Sequence, residues 1–290
     1  MTITGLVAQG GLSAEDLIGV RHLAGLCKLH DGIDVKFNYS MLDMRNPAEA
    51  TDFLWFENGE LVGYLPLDQF GNKAEITAAV HPEHRGKGIF RSLYAAALGS
   101  PAAAKCTEIL LVNYRSSKSG SALVASLKLP LDSSEYSMSV ESSALPTMPE
   151  SGGLVLRIAT SADVPVLAAM IQTNFGAGGW GTEKDLAEEL ARAGRYYFIA
   201  EVEGQIVGHI GTLREQGGVY IRGVGILPQW RGKGWGRRML AESVRHELVV
   251  SGAEPVQFSL DVATQNENAL SIYQSCGFEA SIVYDYYRVV

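Results

Sequence analysis

Cysteine is scarce in this chain of 290 residues. Cys27, Cys106 and Cys276 are the only three, and none shares a C-x-x-C or histidine-paired spacing with another. Neither a disulfide framework nor a zinc site is suggested, so each thiol is expected to be a small core residue and no metal is expected. No uninterrupted apolar run reaches the roughly 18 residues needed to cross a bilayer. The opening stretch MTITGLVAQGGLSAEDLIG has neither the basic segment nor the long apolar core of an export signal, so a cytoplasmic protein with no membrane partner is expected. Positive charge is in deficit, with 24 Lys and Arg against 32 Asp and Glu and a net charge of -8. That counts against nucleic acid as a partner and is compatible with a cationic substrate. A hydrophobic fraction of 47% rules out general disorder, and the length suits two domains.

What is present is a glycine loop. From Val224 to Gly236 the sequence reads VGILPQWRGKGWG: a short apolar strand end, a proline that stops it, then R-G-K-G-W-G ahead of a helical pattern. The first N-H groups of a helix have no internal partners and carry the positive end of its dipole, so such a junction captures anions. Gly232, Gly234 and Gly236 let backbone approach a phosphate, and Arg231 and Lys233 add charge-assisted hydrogen bonds. A nucleotide P-loop would need Ser or Thr after Lys233, where Gly234 stands, and the dinucleotide fingerprint fits neither the spacing nor the position.

The pattern R-x-x-G-x-G at Arg231, Gly234 and Gly236, preceded by V-x-I-x-P, resembles the GNAT superfamily of acyl-CoA-dependent N-acyltransferases. The resemblance implies that the loop, including Trp235, holds the pyrophosphate of acetyl-CoA. It also implies that the preceding strand is splayed, so that Val224 and Ile226 bind the pantetheine arm through backbone groups.

The construction occurs twice. ITAAVHPEHRGKGIF repeats the loop, with Pro82, Arg85 and Gly88 each 146 positions before Pro228, Arg231 and Gly234. The hairpin ENGELVGY also matches VEGQIVGH, with Asn58-Gly59 a turn cue. SSALPTMPESGG, at 142 to 153, has linker composition. Two tandem GNAT-like domains are expected, 1–143 and 154–290 joined by a linker at 144–153. Each is α/β (α+β), a central mixed and mostly antiparallel sheet flanked by helices. The tail after the last helix is short for the two closing strands usual in the family, which leaves that sheet edge unassigned.

The second half adds N-x-x-A-x-x-x-Y-x-x-x-G-F at Asn266, Ala269, Tyr273, Gly277 and Phe278. Asn266 caps a helix, and Tyr273 lies on the face of Ala269 one turn on. In the family the Asn position helps hold the CoA arm and the Tyr hydroxyl sits beside the thioester sulfur. Transfer then needs an oxyanion donor, for which the Ile226 N-H serves, and an acid for the thiolate, for which Tyr273 serves. An alkyl ammonium of pKa about 10.4 is neutral roughly once in several thousand molecules at pH 7, so a base matters. Glu201, His209, Glu215 and Asp261 are available by position, and none is assigned.

In the first half Phe90 stands at the third glycine position. Setting Ala122 against Ala269 puts Ser119 at the Asn position and Ser126 at the Tyr position. This half is expected to be catalytically silent, although Val80, Arg85, Gly86, Lys87 and Gly88 form a possible second, weaker CoA site. The expected activity is transfer of an acetyl group from acetyl-CoA to a primary amine of a small molecule or peptide, by direct attack in a ternary complex formed by a monomer or homodimer. The alternative is a noncatalytic CoA-binding sensor.

Overall fold

The computed structural model describes residues 3–176, 181–215, 218–252 and 254–289. Along the chain run β1 (Gly5–Gln9), α1 (Ala14–Asp31), β2 (Asp52–Glu57), β3 (Glu60–Phe70), β4 (Lys73–Ile76), β5 (Ala79–Val80), α2 (Ile89–Leu98), β6 (Glu108–Tyr114), α3 (Lys118–Leu127) and β7 (Leu131–Glu141). Then follow β8 (Leu154–Ile158), α4 (Val164–Phe175), α5 (Glu183–Leu190), β9 (Arg195–Val202), β10 (Gln205–Glu215), β11 (Gly218–Ile226), α6 (Trp235–Ser251), β12 (Gln257–Ala263), α7 (Glu267–Ser275) and β13 (Glu279–Arg288). No described helix is long and apolar enough to cross a membrane.

Local chemistry sets these boundaries. Ser13 and Asp16 form a reciprocal capping box that starts α1, and Gly32 ends it in the left-handed conformation. The predicted hairpin turn is present, with Asn58 and Gly59 both at positive φ (51° and 86°) as a two-residue turn between twisted strands requires. A capping box of Thr160 with Asp163 precedes α4, whose N-cap position is Asp163, and a second box of Thr182 with Asp185 starts α5.

The chain forms two compact units, Met1–Ser133 with Tyr284–Val290, and Ser134–Val283. In the first the strand order is β1-β2-β3-β4-β6-β13, with β5 paired to β3. Among the described residues, β4 and β6 are the pair that runs parallel. In the second the order is β7-β12-β11-β10-β9-β8, and among the described residues β11 and β12 are the pair that runs parallel. Both are mixed, mostly antiparallel sheets covered by helices on each face. α1 packs on one face of the first sheet, and α2 and α3 on the other. α6 and α7 cover one face of the second, and α4 and α5 part of the other.

The linear division at residue 143 is not where the structure divides. β7, which precedes the expected linker, pairs with β12 in the second unit, from Glu141 opposite Gln257 to Glu135 opposite Ala263. Its Met138 and Val140 enter that core. Conversely, Tyr284–Arg288 pairs with β6 in the first unit, where Tyr284 and Tyr286 are buried. This completes the edge that the sequence left unassigned: each unit receives a strand encoded with the other half. Nor does the 144–153 segment hang free. Leu145 and Met148 pack on the second core, and Arg245 holds the Met148 and Pro149 carbonyls at 3.2 and 2.6 Å.

Candidate active site

In the second unit β11 and β12 pair only from Gly218 opposite Gln257 to Tyr220 opposite Ser259, and then part. β11 continues to Ile226 bonded to β10 alone. The Leu227 N-H donates to the Val207 carbonyl (2.9 Å), toward β10. Strand alternation therefore turns the N-H and C=O of Ile226 to the open side, and Val224 shares that side by the same period of two. A His209/Gly211 bulge beside Gly223, whose φ is 56°, accompanies the bend.

The open strand leads into the loop. Gly232 and Gly234 have φ of 73° and 80°, and a Cβ on either would meet nothing within 4 Å, so their face is open to an anion. The first amide to close on the helix is that of Arg238, to Gly234 O at 3.3 Å. The amides of Trp235, Gly236 and Arg237 before it are those that a helix start leaves without intrahelical partners. Lys233 projects over the Trp230 ring, 4.8 Å from its centroid, and Trp235 packs its side chain against the core. Gly236 serves packing as well as approach, because a Cβ there would lie 3.2 Å from Ile272 Cδ1.

Arg231, expected to bind phosphate, also braces the protein with two of its guanidinium nitrogens. Nε donates to the Ile226 carbonyl (2.9 Å), and Nη2 donates to Asn174 Oδ1 (2.8 Å) at the end of α4. The first unit repeats this brace. Arg85 Nε donates to the Val80 carbonyl (3.0 Å), and its other nitrogens hold Asp31, at the end of α1, at 2.6 and 2.9 Å. That guanidinium keeps the Asp31 carboxyl below the usual carboxylate range. Sequence reading missed Asn174 and Asp31, because nothing local in a helix C-terminus announces a partner about 55 residues away.

Tyr273 is 7% exposed and lies in the hydrophobic cluster against which Val224, Ile226 and Ala269 pack. Burial pushes its phenol up to about 12, so the hydroxyl keeps its proton. Asn266 caps α7, its Oδ1 accepting from the Ala269 N-H at 3.2 Å. Of the positional candidates for a base, Glu201 is held by Arg157 at 2.7 Å. His209 is fully buried, which pushes its imidazole down to about 4, and its Nε2 faces Asn174 Nδ2 at 3.2 Å. Asp261 accepts from the Tyr220 hydroxyl at 3.3 Å, and the side chain of Glu215 lies outside the described residues. Among the described residues no three His, Cys, Asp or Glu side chains gather as metal ligands.

The first unit opens in the same way: β4 and β6 pair as far as Ile76 opposite Leu111 and then part, with β5 bonded only to β3. Here the opening is a cleft of about 550 Å³, lined by Val80, Arg85, Gly86, Gly88, Phe90 and Asn113 among others. Gly86 and Gly88 have φ of 76° and 84°, matching the second loop, while the Lys87 side chain is not part of the lining. Phe90 stacks on Tyr94 at 5.4 Å and forms a wall of the cleft without closing it.

The helix caps correct the sequence register by two. Ser117 caps α3 by accepting from Gly120 N-H, as Asn266 does from Ala269, and Lys128 at positive φ matches Gly277. Ser117, not Ser119, therefore stands at the Asn position, and buried Val124, not Ser126, at the Tyr position. Neither residue offers an acidic hydroxyl for a thiolate, so the absence of the acid is unchanged.

These two splayed sheets with a glycine loop at each opening define an acetyltransferase class of fold, and the comparisons agree. Residues 193–280 match the acetyltransferase (GNAT) domain, and residues 21–119 the acetyltransferase (GNAT) family. A mycothiol acetyltransferase of Streptomyces griseus is 30% identical over 263 residues, covering 81% of this chain and 79% of the relative. The GCN5-related N-acetyltransferase of Sphaerobacter thermophilus shares the fold with a TM-score of 0.76 at 18% identity, over 99% of this chain and 96% of that one. A tandem GNAT protein of the clavulanic acid biosynthesis pathway does so at 0.71 and 17%, over 98% and 97%. The chain belongs to the GNAT acetyltransferase family, with two GNAT domains in tandem.

Proposed function

We propose that the protein transfers an acetyl group from acetyl-CoA to a primary amine of a small molecule or peptide, and that the chemistry takes place in the second unit. The observation that carries this reading is Tyr273, an acid kept protonated in the cluster that also contains the open strand, while Val124 stands at its position in the first unit. The diphosphate would lie on the free amides of Trp235, Gly236 and Arg237, and the pantetheine along Val224 and Ile226. As the amine attacks, the Ile226 N-H receives the charge on the carbonyl oxygen, and Tyr273 gives its proton to the departing thiolate. Membership of the GNAT acetyltransferase family supports an amine-bearing acceptor.

The first-unit cleft supports a second, binding-only CoA site at Val80 and Arg85 to Gly88. The test is calorimetry with CoA combined with thiol release from acetyl-CoA in the presence of amines. Gly234→Ala and Tyr273→Phe should abolish most turnover, and Gly88→Ala should remove one of two binding events. Turnover lost with Gly88→Ala and kept with Gly234→Ala would reverse the assignment of the units, and binding without turnover across amines would favour the sensor.

A further inference from the structure

The two units differ at a pair of residues beside their openings. β6 and β12 each end three residues before the cap of the helix that follows, Tyr114 before Ser117 and Ala263 before Asn266. Counted from those caps, Asn113 stands where Val262 stands, and Gly120 where Ala269 stands. Val262 and Ala269 belong to the hydrophobic cluster of Tyr273. Asn113 and Gly120 instead line the first-unit cleft. By the period of two, Asn113 shares the face of Ile109 and Leu111, whose side chains enter the core under α2 and α3.

Asn113 is 8% exposed, and its Nδ2 finds no hydrogen-bond partner among the described residues. A Cβ at position 120 would collide with Asn113 Oδ1, so the glycine makes room for the amide. Two unfavourable choices thus meet at one spot: a glycine inside a helix where the other unit has alanine, and a buried N-H left unpaired. Packing of the free protein needs neither, since valine with alanine fills the same place in the second unit. A ligand that pairs with the amide accounts for both. A phosphate offers it acceptors only and an ammonium donors only, whereas a secondary amide offers a C=O and an N-H together.

On the reading that this cleft takes CoA, we propose that Asn113, in the space that Gly120 leaves, pairs with an amide of the pantetheine arm and sets the specificity of the first site. Gly120 lies one helical turn before Val124, the counterpart of Tyr273, so the contact falls on the arm and not on the thioester. The first unit therefore reads the arm and ignores the acyl group, holding CoA and acetyl-CoA alike.

Calorimetry on the full chain tests this with CoA, acetyl-CoA and adenosine 3′,5′-bisphosphate, which carries the nucleotide end without the arm. The first-unit event is the one that Gly88→Ala removes from wild type, and the other event is the reference within each titration. Asn113→Val combined with Gly120→Ala installs the pair of the second unit. This double variant should weaken the first event about tenfold, the size of one hydrogen bond, for CoA and acetyl-CoA equally, and leave the bisphosphate unchanged. Without ligand, its thermal stability should equal or exceed that of wild type, because the unpaired amide is gone. Gly120→Ala alone should lower both stability and the affinity of the first event. An unchanged first event in the folded double variant overturns the role of the pair, as does equal weakening of all three probes or weakening of acetyl-CoA alone. A double variant less stable than wild type, with CoA affinity kept, assigns Asn113 to the fold instead. If wild type shows one event and Gly88→Ala keeps it, the first-unit CoA reading falls and this inference with it. Two events with a silent pair leave that reading intact and sink the inference alone.

Discussion

Acidification should loosen the loop of the second unit through His209. Its ring is fully buried on β10, and burial lowers its pKa to about 4, against about 6.5 for an exposed imidazole. A depressed folded-state pKa means that the unfolded chain binds the proton first as pH falls. The associated stability is whole above about pH 6.5 and drains away toward pH 4. Linkage gives a loss of about 2 kcal/mol by pH 5 and about 3 kcal/mol by pH 4. The ring also reaches the loop: Nε2 faces Asn174 Nδ2 at 3.2 Å, and Asn174 Oδ1 accepts from Arg231 at 2.8 Å. A protonated Nε2 would confront the amide N-H₂, and turning the amide would present N-H₂ to Arg231. Urea unfolding and CoA calorimetry at pH 7.5 and 5.0, on wild type and His209→Gln, test this. The wild type should lose about 2 kcal/mol more than the variant and weaken more in CoA affinity. Equal pH dependence of the two proteins would refute the reasoning.

Three other outcomes follow from the geometry. Gly225→Ala should destabilise the second unit by about 2 kcal/mol or more and lower CoA affinity, since its Cβ would stand 2.7 Å from His209 Nε2 and displace Asn174; thermal unfolding and calorimetry report both. Gly234→Ala has open space but φ of 80°, so chemical denaturation should show a backbone cost of about 1–2 kcal/mol, while a Gly234→Asn control should restore part of it. Tyr273→Phe should lower kcat by on the order of 10²-fold with CoA affinity unchanged, read from steady-state kinetics beside calorimetry.

Much of the site was legible because its chemistry is local. A glycine loop at a helix start, a proline after a strand and an Asn that caps a helix are short-range patterns, and R-G-K-G-W-G and Asn266 to Phe278 fold as their spacing requires. The protein partners of the arginines were hidden for the opposite reason. Arg231 and Arg85 are also held by Asn174 and Asp31, whose proximity depends on packing of the first helix of each unit. The register slip in the first unit came from matching alanines. Ser117 and Lys128 mark the ends of α3 by capping geometry, which residue similarity does not show. The strand edges were hidden because pairing of β7 with β12 spans more than a hundred residues, and alternation in β7 tells which face is apolar without telling which sheet receives it.

The exchanged strands impose an order on biosynthesis. Until residues 284–288 leave the ribosome, β6 has an uncovered backbone edge and the first sheet cannot close, although nearly all of that unit was made long before. A nascent chain halted at residue 143 would carry β7 without the β12 it belongs beside. The halves are therefore not interchangeable cassettes, and co-expressing them as fragments cut at 143 should reconstitute an enzyme only where each fragment donates its strand to the other.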